Sequence, residues 1–131
     1  MLLTTKSTFM PYFDFFQVAN KEYEKKPSFL SKKILSIIAN NLHKQYIEIE
    51  KIIIDLDKYS VDHLNLLCDE LYDSLDEIKL LKSKIKNSNR NNFEYENLYN
   101  NADDLHNLIL TLIEKTTSKE IHELKNKNHA A

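Results

Sequence analysis

At 131 residues, 42% of them hydrophobic, the chain has the size and apolar content of one domain with one core, and its formal net charge of -2 gives no reason to expect tight binding to a polyanion. Glycine is absent and proline occurs only as Pro11 and Pro27, which excludes folds built on tight glycine turns and leaves helices joined by Asn- and Ser-bearing loops. Cys68 is the only cysteine, so there is no internal disulfide or thiolate metal cluster, and no apolar run approaches the roughly 20 residues that span a bilayer. The expectation is a single all-α domain over residues 1–131 in a reducing, cytoplasmic setting, off the membrane.

The first segment, Pro11 to about Lys25, places Tyr12, Phe16, Ala19 and Tyr23 at spacings of 4, 3 and 4, with Pro11 suited to a first helical turn. A short helix follows, preceded by a frayed stretch over residues 1–10. Pro27 interrupts it. A second helix is predicted from about Ser28 to Lys58, its core face carrying Ile34, Leu35, Ile38, Leu42, Tyr46, Ile49, Ile52, Ile53 and Leu56. Tyr59 and Ser60 break the chain, Ser60 caps the next helix, and Asp62 suits its positive end.

A third helix should run from Val61 to about Lys86, with Leu64, Leu67, Leu71, Leu75, Ile78, Leu81 and Ile85 inward. The polar stretch from Lys86 to Asn92 reads as a loop whose last residue caps a fourth helix bearing Tyr95, Leu98, Ala102, Leu105, Ile109 and Leu112 at the 3-4 spacing of a bundle seam. Thr116-Thr117-Ser118 reads as an interruption, because Thr117 and Glu120 have the form of a capping box that starts a short terminal helix, with a frayed tail over residues 126–131. Short connections make consecutive helices antiparallel. The predicted architecture is therefore an up-down bundle of three long helices with a shorter, aromatic N-terminal fourth.

Catalytic and metal-binding sets are sparse. Asp103 and His106 have the i, i+3 spacing of a di-metal bundle ligand pair, but a second inward pair is missing. The only arginine, Arg90, lies 16 positions before His106, too far for the arginine-histidine arrangement of helical ribonucleases. His43 or His106 could serve a phosphotransfer or nucleotide-handling domain, though nothing small beside His43 clears an approach for a partner. Asp62, Asp69, Asp73 and Asp76 share one side of the third helix, opposite its apolar face, as a solvated acidic stripe. No cofactor and no catalytic residue is assigned.

The second helix departs from an ordinary amphipathic pattern. Phe29, Ile47 and Ile54 fall almost opposite its core face, and Lys33, Lys44, Lys51 and Lys58 run alongside them. The N-terminal segment is the matching oddity, since Phe9, Met10, Tyr12, Phe13, Phe15 and Phe16 cannot all hide on one helical face. The leading expectation is a non-catalytic interaction protein, an adaptor, regulator or inhibitor. It acts on a protein partner or another copy of itself through Phe29, Ile47, Ile54, the four lysines, Phe13 and Phe16. Nucleic acid is not an expected partner, although the four lysines leave a weak nucleic-acid or anionic-membrane contact as a further alternative, opposed by the acidic third helix.

Overall fold

The structure is a computed structural model that describes residues 12–25 and 29–130. Four α-helices account for nearly all of them: α1 Tyr12–Lys25, α2 Phe29–Ile54, α3 Val61–Asn87 and α4 Phe93–Ala130, with a single 3-10 turn at Leu56–Lys58. Phe9, Met10, Pro11, Pro27 and Ser28, and the expected fraying over residues 1–10, lie outside the described residues.

Local signals set most boundaries. The Ser60 hydroxyl accepts from the His63 amide at 3.1 Å, satisfying one of the amides that α3 leaves free at its start. At the far end of α3 the chain needs a left-handed residue to turn, and in the absence of glycine Asn89 takes that role with φ 57°. The carboxylate of Glu77 lies 3.5 Å from the Phe13 amide and faces the positive end of α1.

α4 differs from the sequence expectation. It continues without a break through Thr116-Thr117-Ser118 and through residues 126–130, to a length of 38 residues or about 57 Å. Thr116 is buried on the same stripe as Leu105, Ile109 and Leu112, and meets Cys68 of α3 with Sγ and Oγ1 3.7 Å apart. The Thr117 hydroxyl donates to the Ile113 carbonyl at 2.8 Å, one turn back, so it is spent inside the helix instead of capping a new one.

The helix order holds as predicted, and α1 packs on α2 and α3 on α4, but α2 and α3, consecutive in the chain, are not packed neighbours. α4 packs along both α2 and α3, and α1 packs against the same two helices from the other side. α2 and α3 therefore sit across a diagonal. Lys119 of α4 donates to the Leu56 and Tyr59 carbonyls at 3.2 and 2.7 Å, which places the C-terminal parts of α2 and α4 at the same end and makes them parallel. The buried side chains form one cluster. It includes Leu35, Ile38, Leu42 and Ile49 of α2, Leu64, Leu71 and Ile78 of α3, and Leu98, Leu105 and Ile109 of α4. Ile34, Tyr46, Ile53 and Leu56, assigned to the core face, lie at its margin and are partly buried, and Leu56 falls in the 3-10 turn because α2 ends at Ile54 and not at Lys58. Residues 121–127 of α4 are all exposed, and Glu123, Leu124, Asn126 and Lys127 line an open depression together with Ser60, Val61 and Asp62 at the start of α3.

Candidate interaction surface

The amphipathic pattern of α2 aims Leu35, Ile38, Leu42, Ile49 and Ile52 at the core and leaves the opposite side to solvent. Phe29, Ile47 and Ile54 are 69%, 37% and 74% exposed there, and Lys33, Lys44, Lys51 and Lys58 are exposed beside them. The side is not one continuous patch. Phe29 and Ile47 are about 27 Å apart along the axis, with exposed Ser36, Asn40 and His43 between them, whereas Ile47 and Ile54 are separated by only about 10 Å. Lys33 Nζ lies 5.7 Å from the Phe29 ring centre, a cation–π contact, and Lys58 pairs with Asp55 at 3.7 Å.

Phe16 does not belong to this surface, in contrast to the sequence expectation. It is completely buried, with its ring edge-on to Tyr95 of α4 at 5.9 Å, because it lies on the stripe with Tyr12 and Ala19 that fills the groove between α2 and α3. Phe13 is half-buried at the α3 side, where Lys84 Nζ lies 5.8 Å from its ring centre. The described part of α1 thus packs on its own bundle without covering the outer side of α2. It leaves Phe15 and Val18 exposed, and Leu30 and Ile37 of α2 are exposed as well. Phe15 belongs to the aromatic cluster named from the sequence, whereas Val18, Leu30 and Ile37 were not singled out. The signal was present in α1, whose apolar positions outnumber those of its buried stripe.

Two polar networks tie the helices together. Arg90 in the α3–α4 loop stacks over Tyr23 of α1 at 4.9 Å and near Tyr95 at 5.8 Å. The Tyr95 hydroxyl donates to Asn20 at 2.7 Å, and the Asn92 amide donates to the Tyr23 hydroxyl at 2.9 Å. The only arginine of the chain therefore pins α1 to the α3–α4 loop, and burial pushes the Tyr95 phenol up to about 12. Beside Arg90 an open depression of about 590 Å³ is lined by Lys86, Tyr95, Tyr99 and asparagines.

The second network joins Asp103 and His106 through a lysine. Lys82 of α3 donates to the Asp103 carboxylate at 2.7 Å, lies 3.1 Å from His106 Nδ1, and sits over the Tyr99 ring at 5.6 Å. The hydrogen bond from Lys82 holds the Asp103 carboxyl below its usual range. Burial, then the Lys82 and Lys79 ammonium groups, hold the His106 imidazole below its usual value. An ammonium cannot accept, so neutral His106 takes the Lys82 proton donor at Nδ1 and carries its own proton on Nε2. In an NMR titration His106 should therefore have a midpoint below the usual 6.5, and Lys82→Met should raise it. An unmoved midpoint would mean that Lys82 does not face the ring.

Among the described residues no three His, Cys, Asp or Glu side chains converge as metal ligands. Burial pushes the Cys68 thiol up, away from thiolate chemistry at neutral pH. His43 is exposed and stacks on Tyr46 at 6.3 Å. No helix of the described residues is long and apolar enough to cross a membrane. Comparison with protein-family models, curated proteins and solved structures finds no match to this chain.

Proposed function

We propose that the chain is a non-catalytic interaction module, a small adaptor, regulator or inhibitor that presents the outer side of α2 to a protein partner. The observation that carries this reading is the pair Ile47 and Ile54, exposed one above the other beside Lys44 and Lys51 on a helix whose core face is already full. A packed bundle gains nothing from isoleucines held in water there. Apolar side chains flanked by charge form the centre and rim of a docking surface.

The test is the double change Ile47→Lys with Ile54→Lys. Both positions lie off the core, so the melting temperature should stay close to that of the wild type while capture of a partner from the native host is lost. A melting temperature lowered as far as by a core substitution would instead place these residues in the chain's own packing and remove the reading's main support.

A further inference from the structure

We propose that the open depression where α3 turns into α4 binds the phosphate group of a small molecule, held between Lys86 and Arg90. The proposal is independent of the α2 surface, because no residue lining the depression belongs to α2. Its volume of about 590 Å³ suits a small ligand. The charge comes from an uncommon stretch of sequence. Residues 79–92, the last turns of α3 and the loop after it, hold Lys79, Lys82, Lys84, Lys86 and Arg90 and no acidic residue. Lys82 is committed to Asp103 at 2.7 Å, and Lys84 stands against the Phe13 ring. Lys86 and Arg90 line the depression, and neither forms an ion pair among the described residues.

Aromatic rings hold both cations in place. Arg90 Cζ lies 4.9 Å from the Tyr23 ring centre and 5.8 Å from that of Tyr95, contacts that fix the guanidinium without consuming its N–H donors. Its Nε is buried and has no hydrogen-bond partner among the described residues. The Tyr95 hydroxyl is near enough to interact with the group, which still leaves most of its donors unmatched. Lys86 Nζ stands 5.6 Å from the Tyr99 ring centre. Around them the side-chain amides of Asn89, Asn91 and Asn100 are exposed and bond to no group among the described residues. A ring-held guanidinium with unmatched donors, an ammonium and neutral amides on one wall are complementary to an oxyanion.

The wall is not of one sign, and that selects the class of anion. Glu96 lines the depression with the two cations, so the net charge of the lining is positive by one. A carboxylate, with one negative charge, is attracted weakly by such a wall. A phosphate monoester carries a charge of about -1.5 to -2 at neutral pH, which nearly doubles the attraction, and its three oxygens suffice to meet Lys86, Arg90 and an asparagine amide together. Such a ligand would tie the end of α3 to the start of α4 at the point where Arg90 also holds Tyr23 of α1, so its binding stabilises the folded bundle.

Titration of the full chain with inorganic phosphate, followed by calorimetry and by NMR amide shifts at an ionic strength held constant with sodium chloride, tests this. Binding should saturate, with the largest shifts at Lys86, Asn89, Asn91 and Tyr99. Lys86→Gln should weaken it by about tenfold, the loss of one charge-assisted hydrogen bond. Glu96→Gln should strengthen it several-fold, since it removes the opposing charge. Both changes are at exposed side chains, and unchanged melting temperatures confirm that the bundle is intact. Arg90→Lys keeps the charge but loses the fork, and should also weaken binding; if it disturbs the packing of α1, the Lys86 and Glu96 variants decide. Acetate should bind about tenfold more weakly than phosphate or less. Acetate binding as tight as that of phosphate overturns the assignment to phosphate. Shifts that never saturate or that spread over the lysines of α2 overturn the site itself, as does an affinity that Lys86→Gln and Glu96→Gln leave unmoved.

Discussion

Replacing Phe16 with alanine is expected to lower the free energy of unfolding by about 3–5 kcal/mol, whereas Phe15→Ala, one position earlier, should cost about 1 kcal/mol or less. The contrast follows from the place of α1 in the bundle. Phe16 is fully buried and meets the Tyr95 ring edge-on, so alanine there leaves a cavity bounded by three helices that are held apart by the rest of the core. Phe15 is 41% exposed and has less to lose. Urea denaturation of the two variants beside the wild type decides the matter. Equal losses would mean that α1 is rotated from the orientation described, and that the aromatic segment seals its groove through a different stripe.

The sequence already contained that stripe, since Tyr12, Phe16, Ala19 and Tyr23 have helical spacing, and three of the four are fully buried while Tyr23 packs against the core. It did not tell which aromatic belonged to the groove and which to solvent, and Phe16 was expected on the interaction surface for that reason. The start of α3 and the core faces of α2 and α3 were legible because caps and periodicity act within one or two turns: Ser60 caps α3, and every position read as inward on that helix is buried. The outer side of α2 was legible by the same periodicity, and Phe29, Ile47 and Ile54 lie off its core face.

What escaped the sequence reading depends on distant partners. Lys82 meets His106 across 24 positions and Arg90 of the α3–α4 loop meets Tyr23 of α1, and neither register follows from local spacing. Nor does the crossing of α2 and α3 over the diagonal, which is set by both helices turning their apolar stripes toward α4. The misread at Thr117 is of another kind. A threonine three residues before a glutamate has the pattern of a helix start, but the same hydroxyl can bond one turn back, and burial of Thr116 on the continuing stripe decides between the two.

The second large effect is expected in α4, and it depends on position along the helix more than on residue type. Leu105→Ala should cost about 2–5 kcal/mol, because Leu105 is fully buried in the part of α4 that packs against both α2 and α3, and a leucine removed there leaves an unfilled space. Leu124→Ala, 19 positions later on the same helix, should change stability by no more than about 0.5 kcal/mol. Leu124 lies past Lys119 and Glu120, which make the last polar contacts of α4 with the rest of the bundle through the Tyr59 carbonyl and Asn65, and it is 54% exposed. Thermal melts of the two variants measure the difference. A loss at Leu124 comparable to that at Leu105 would show that the end of α4 is covered in solution, by something other than the described residues of this chain.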